Sequence, residues 1–498
     1  MLTTNPFAFG PAAHLRDEDD DDKPKEECGV VGIFGDPDAA SHAVLGLHAL
    51  QHRGQEAAGV VSCDGFSFHS HRGLGHVSEN FKSEEVMNRL VGPMAIGHNR
   101  YSTSGDKALR NVQPFYADLA FGGLGLCHNG NLTNAVTLRR QLVQKGCIFS
   151  STSDTEVVLQ LVARSDYITV EDRLVDALRK VEGAYSLIAL TTTAMYGIRD
   201  PYGIRPLVLG SLDGAHILAS ETCALDIMGA EYVRDVQPGE LVIIDRDGVR
   251  SVKPFVPVQS RFCIFEYIYF ARPDSNVEGT SVYHVRKRIG EELARESGVP
   301  ADVIVPVPDS GVPAALGFAA ESGVPFEFGI IRNHYVGRTF IQPTQRTRDL
   351  GVKRKHNANR AFLEGKRVVL VDDSIVRGTT SKKIVQMVRQ AGATEVHMRI
   401  SSPPTTYPCF FGIDTPDRDN LLAAQHNLAE MEKLLGVDSL AFISLDGLYR
   451  AVGEAGRDMG NPTFCDACFT GDYFLPLTDR NDTACTSQQL SLLQEKLG

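Results

Sequence analysis

"VVLVDDSIVRGTT", residues 368–380, is a short apolar run that ends in two carboxylates and then turns through a glycine and two threonines. Val368 to Val371 read as a strand buried on both faces, which carries Asp372 and Asp373 to its carboxyl end. Gly378, Thr379 and Thr380 open a helix that continues through "SKKIVQMVRQAG", residues 381–392. "DVIVPVPDSG", residues 302–311, runs in the same way into the helical "VPAALGFAAES". This order of strand and helix predicts a parallel, doubly wound sheet, whose ligands sit at the carboxyl ends of the strands. Backbone N–H groups at the helix start, with the threonine hydroxyls, can hold a phosphate. The adjacent carboxylates can accept hydrogen bonds from the vicinal hydroxyls of a sugar, directly or through a metal. Taken alone, the acidic pair also fits an ordinary charged turn between a strand and a helix.

Upstream the pattern differs. From Cys28 to about residue 255, short β-rich runs such as "GVVGIFG", "GVVSC", "LGLCHNG", "SLIAL" and "PLVLG" alternate with Gly and Asn turns. Residues 38–51 and 154–164 read as helices, the second with Asp154 placed to cap its first turn. Many strands with few helices predict a layered α/β domain. "KPFVPVQS", residues 253–260, reads as a proline-bearing linker, and the chain beyond about 415 reads as helical and then irregular. The expected organisation is an acidic leader (1–27), a first domain (28–258), a second (259–455) and a C-terminal segment (456–498).

The chain has 498 residues, 43% hydrophobic and 22% charged, and a formal net charge of −12. That composition is ordinary for a soluble globular protein, and its acidic balance points away from nucleic acid. No apolar run approaches the roughly 20 residues of a membrane span, and a cytoplasmic location is expected. Ten cysteines are scattered along the chain, with Cys465 and Cys468 forming the CxxC pair "CDAC". At "DDDDKPKEECGVVGIFG", residues 19–35, an acidic run meets a cysteine and an apolar stretch. A disordered tail ending at the first strand explains this change of character. So does chemistry: a cut between Glu27 and Cys28 would put a thiol and a free α-amine on one residue, a nucleophile beside a base that titrates near pH ~8.

The stretch 368–380 resembles the phosphoribosyl pyrophosphate signature of the type I phosphoribosyltransferases. That resemblance implies a pyrophosphate loop at "PVPDSG", where Asp309, Ser310 and Gly311 offer backbone N–H groups to an anion. It implies ribose and phosphate contacts from Asp372, Asp373, Gly378, Thr379 and Thr380, and magnesium near Ser310, Asp372 and Asp373. The basic stretch "RNHYVGRTFIQPTQRTRDLGVKRK", residues 332–355, would then be a cationic lid, with Arg332 and Arg338 over the leaving group.

In the first half, "QHRGQEAAG", "GHNRYSTSG", "CHNGNLTN" and "SDTEVV" resemble the motifs of the N-terminal-nucleophile glutamine amidotransferases, which have a layered αββα fold. The resemblance implies that Cys28 attacks the side-chain amide of glutamine and that Asn129 and Gly130 form the oxyanion hole. Arg100 would bind the substrate α-carboxylate and Asp154 its α-amino group, with Thr103 and Arg53 as further candidates in that pocket. With "YGIRDPYGIRPL" (196–207) and "CIFEYIYFARPDS" (263–275), the two halves together resemble the amidophosphoribosyltransferase family, which begins purine synthesis. In its iron–sulfur members four cysteines ligate a 4Fe–4S cluster, and Cys263, Cys409, Cys465 and Cys468 fall at those positions; structural zinc is the lesser alternative. The family also implies purine nucleotides as feedback inhibitors and a homotetramer. A competing reading is a non-catalytic, nucleotide-sensing regulator on a phosphoribosyltransferase fold.

Overall fold

The structure is a computed structural model that describes residues 28–101, 108–333 and 356–481. Among these residues the first half builds two antiparallel sheets. One runs in the order Glu231–Asp235, Val208–Leu212, Ala215–Ala219, Gly29–Phe34, Met94–Arg100, Ala57–Cys63, Phe68–Leu74. The other runs Gly248–Val252, Leu241–Asp245, Ala194–Arg199, Gly183–Leu190, Gly122–Leu132, Phe115–Leu119.

The strands read as continuous apolar runs because both of their faces are buried. Val30 points into the core between the sheets with Ile96, Cys127, Ile188 and Ile244. Val31 and Ile33 point outward onto the helices Ala39–Ala49 and Thr222–Met228. Across the sandwich, Leu124, Leu126 and Leu187 pack on the helices Ala135–Gln144, Thr155–Ala163 and Val170–Leu178. The result is the expected αββα layering, and fully burying each such side chain contributes about 1.5–3 kcal/mol.

The first half has more helix than its sequence reading allowed. Ala135–Gln144 and Val170–Leu178 carry charges within their apolar spacing, which hid them. The second is nonetheless announced by Thr169, whose side chain accepts the Asp172 N–H at the helix N-terminus.

Residues 253–260 contain no regular element and join the strands Gly248–Val252 and Phe262–Cys263. Beyond them four parallel strands lie in the order Val303–Pro306, Arg367–Asp372, Glu395–Ile400, Ser439–Phe442. Ile304, Val369 and Val371 face one side with the helices Val282–Ser297, Val312–Ser322 and Leu445–Val452. Val305, Leu370 and Met398 face the other with Thr379–Gln390 and Leu428–Leu435. The doubly wound sheet is as expected, but its fourth strand comes from the stretch read as helical. Ser439–Phe442 has only four residues between two helices, too short to show a period of two.

The described part of the C-terminal segment, residues 456–481, reaches back to the first half. The Asp479 carboxylate accepts the N–H groups of Val136 and Thr137 at 2.7 and 2.9 Å, which satisfies the start of a first-half helix. Thr478 donates its hydroxyl to Glu182.

Candidate active site

Two constellations occupy the places that strand geometry provides. The first gathers at one end of the sandwich. Cys28 immediately precedes a central strand and is buried; its thiol lies 3.5 Å from the Tyr101 carbonyl, to which it donates. Burial pushes the thiol up to about 11, against the opposing effects of the Tyr101 contact and the Arg100 charge. At neutral pH it is therefore protonated, and attack requires a base. While Glu27 remains attached, the Cys28 nitrogen is an amide and cannot serve as one.

Cys28, Arg100, His128, Gly130, Ser153 and Asp154 line a common pocket with Tyr101 and Gln113. Arg100 and Asp154 supply buried charges of opposite sign to the pocket, the two signs that an amino acid's carboxylate and amino group call for. Burial alone would raise the Asp154 carboxyl. His128, 3.7 Å away, and the Leu132 N–H at 3.0 Å outweigh burial and hold it below the usual carboxylate range. Asp154 stands at the N-cap position without capping: its side chain serves Leu132 and His128 instead of the helix N-terminus, a correction to the sequence reading.

Asn129 lies on the Gly122–Leu132 strand, fully buried, with both side-chain amide atoms lacking any partner among the described residues. Leaving such a group unpaired costs on the order of 1–3 kcal/mol, so a ligand group is the natural explanation. Gly130 has φ +144°, and a Cβ there would stand 2.1 Å from the Ala184 carbonyl oxygen, so only glycine fits.

Two further expectations meet different outcomes. Thr103 lies outside the described residues. Arg53 does not line this pocket: its buried guanidinium donates to the carboxylates of Glu221 and Glu266. Glu221 and Glu266 were not singled out from sequence, and neither was the role of His128, whose N–H donates to Gln113 Oε1 at 2.8 Å. A histidine inside the otherwise apolar run "LGLCHNG" was the available signal for the latter.

The second constellation sits at the carboxyl ends of the parallel strands. Asp372 and Asp373 are buried, and Ser310 donates its hydroxyl to Asp373 Oδ1 at 2.5 Å, which ties the 306–311 loop to the acidic pair. Gly378 directly precedes the helix Thr379–Gln390, with Thr380 buried and Thr379 exposed. Arg332 forms an ion pair with Asp309 at 2.7 Å, their side chains 48% and 55% exposed. Arg338 lies outside the described residues. One expectation needs correction: the Gly311 N–H donates to the Val307 carbonyl at 3.0 Å, closing the loop on itself, and is not offered to an anion.

Cys263, Cys465, Cys468 and Cys409 converge in one apolar core beside Arg205. Cys263 and Cys465 pair in register across the short parallel ribbon Phe262–Cys263 and Phe464–Cys465. Burial pushes Cys263 up to about 11 and raises Cys465 and Cys468 well above the usual thiol value, so deprotonating them calls for a metal. Among the described residues no group of three or more His, Cys, Asp or Glu side chains is arranged to hold a metal ion. Nor is any helix there long and apolar enough to cross a membrane.

Comparison with known proteins gives matches to both halves. The glutamine amidotransferase domain family matches residues 98–226 and the phosphoribosyl transferase domain family matches residues 282–401. Over 480 residues the chain is 58% identical to an amidophosphoribosyltransferase of Rhizobium etli, covering 95% of this chain and 97% of that protein. It is 49% identical to an amidophosphoribosyltransferase of Bacillus subtilis, covering 90% and 94%. A solved structure of glutamine phosphoribosylpyrophosphate amidotransferase from B. subtilis, complexed with ADP and GMP, matches with a TM-score of 0.86 at 47% identity, covering 90% of this chain and 98% of that one.

Proposed function

The chain belongs to the amidophosphoribosyltransferase family, the enzymes of the first step of purine synthesis, and we propose how its own residues divide that work. The enzyme moves the amide nitrogen of glutamine to phosphoribosyl pyrophosphate, giving phosphoribosylamine, glutamate and pyrophosphate. The observation that carries the assignment of the glutamine site is the unpartnered Asn129 amide beside Cys28, Gly130, Arg100 and Asp154.

Removal of residues 1–27 exposes the Cys28 α-amine. The amine takes the thiol proton as sulfur attacks the glutamine side-chain carbonyl, and Asn129 and the Gly130 N–H receive the oxyanion, where one donor is worth about 3 kcal/mol. Collapse of the tetrahedral intermediate expels ammonia, which leaves with the returned proton, and water then cleaves the thioester to glutamate. Ammonia released into bulk water would be protonated and lost. It travels instead through an apolar passage between the two sites.

There it attacks C1 of the ribose as pyrophosphate leaves. Asp372 and Asp373 hold the ribose hydroxyls, and Gly378, Thr379 and Thr380 hold the 5-phosphate. The oxygen donors of Ser310, Asp372 and Asp373 suit magnesium, which would offset the charge of the pyrophosphate. Cys263, Cys409, Cys465 and Cys468 would be the ligands of a 4Fe–4S cluster: their four sulfurs share one apolar core though not yet in metal-binding geometry, and Arg205 would offset their charge once they are deprotonated. Bound purine nucleotides inhibit, as the nucleotides in the B. subtilis complex suggest, and the enzyme works in the cytoplasm as a homotetramer.

The regulator reading is disfavoured, because a binding module has no use for a complete glutaminase pocket. The mass of the mature N-terminus is the decisive test: a chain beginning at Cys28 supports the scheme, and an active enzyme that retains residue 27 refutes it.

A further inference from the structure

The strand that carries Asn129 and Gly130 is gripped by the other half of the molecule. Asn131 Nδ2 donates to the Phe410 carbonyl at 2.9 Å. Gly412 has φ +116°, and a Cβ built on it would come within 3.2 Å of the Gly130 Cα and 3.3 Å of Arg205 Nε. The fully buried Arg205 donates through Nε and Nη2 to the Phe411 carbonyl at 2.8 and 2.6 Å, and its Nη1 lies 3.5 Å from Glu266. Glu266 also binds Arg53, and a Cβ on Gly29, next to the nucleophile, would stand 3.5 Å from Arg53 Cβ. A connected set of contacts thus runs from the nucleophile strand through the transferase half to the oxyanion strand.

We infer that the segment Phe410–Gly412, anchored by Asn131, positions Asn129 and Gly130 for attack by Cys28, so that the transferase half sets the geometry of the glutaminase oxyanion hole. This rests on the reading of Asn129 and Gly130 as oxyanion donors given above. The need for such a reference is physical. One donor belongs to a glycine, the most permissive of residues, and the other is an amide that no hydrogen bond among the described residues orients. A misplacement of 1 Å costs on the order of 100-fold in rate. Asn131 and Gly412 are positioning residues, since neither touches the reacting atoms.

Asn131→Ala and Gly412→Ala, compared with the parent holoenzyme at equal metal content, test this. The expected result is a fall of about tenfold or more in kcat for glutamine-dependent turnover, with the glutamine KM within about threefold and ammonia-dependent synthesis unchanged. An aldehyde analogue of glutamine forms a hemithioacetal with Cys28 and places an oxygen in the hole. Its affinity should fall by the same factor as kcat/KM, while that of glutamate holds. Equal loss of both activities, a change in KM alone, or unchanged aldehyde affinity overturns the inference. Should Asn131→Ala not fold, the isosteric Asn131→Asp removes the same donor and is judged by the same outcomes. Cys28→Ala separates the two readings: if it keeps glutamine-dependent turnover, the site assignment itself fails. If it loses that turnover while the Asn131 and Gly412 variants match the parent, only this inference fails.

Discussion

The two reaction centres are built on opposite principles. The glutamine pocket is lined by buried groups fixed by strands: Arg100, Asn129 and Asp154 are each withdrawn from water before any substrate arrives. The phosphoribosyl site sits at strand ends, with a buried acidic pair beneath an exposed Arg332–Asp309 ion pair. In the first, desolvation is met by the fold, and each charge acts in a low dielectric. The second faces solvent at Arg332 and Asp309, so its exposed charges act in a higher dielectric.

The sharpest way to break this contrast is Cys28→Ala. Glutamine-dependent turnover should fall by at least about 1,000-fold, leaving ammonia-dependent synthesis intact, as steady-state rates with each nitrogen source will show. Equal loss of both would mean that the centres are not separate. Asp373→Asn should reduce synthesis from either nitrogen source by about 100-fold, because both depend on the ribose; an unchanged ammonia-dependent rate would remove Asp373 from the site.

The thiol provides a test by pH. In chain that retains Glu27, the deprotonated fraction of Cys28 should keep increasing with pH until about 11, because burial disfavours the thiolate. Iodoacetamide alkylation, followed by mass, should climb without a plateau below pH ~10. A plateau near neutrality would show that the pocket stabilises the thiolate instead.

Stability should reflect the same contrast. Glu266→Gln removes the charge shared by Arg53 and Arg205 in the buried seam and should cost about 3 kcal/mol or more in urea unfolding. Arg332→Ala removes one partner of an exposed pair and should change stability by no more than about 1 kcal/mol.

The legible parts of the site were those whose chemistry is local. "VVLVDDSIVRGTT" places an acidic pair at a strand end and a glycine at a helix start within thirteen residues, and a buried parallel strand needs only an apolar run to be recognised. "CHNGNLTN" and "SDTEVV" held Asn129 and Asp154, yet nothing along the chain told Asp154 as a helix cap from Asp154 as a partner of His128 and Leu132. Arg53 is silent for a related reason: an arginine beside a glycine turn looks available, while the carboxylates of Glu221 and Glu266 that it meets lie 168 and 213 positions away.

By itself, then, the sequence determined two halves of different topology and singled out Cys28, the acidic pair and four cysteines as candidates, because residue type and short-range period carry that information. Tertiary structure alone decided which buried charges neutralise one another, that the Asn129 amide finds no partner among the described residues, and that Phe410–Gly412 closes on the strand carrying Asn129 and Gly130. Those facts depend on distances between groups far apart in the chain, and desolvation makes them matter: a charge or amide must find its partner wherever packing removes it from water.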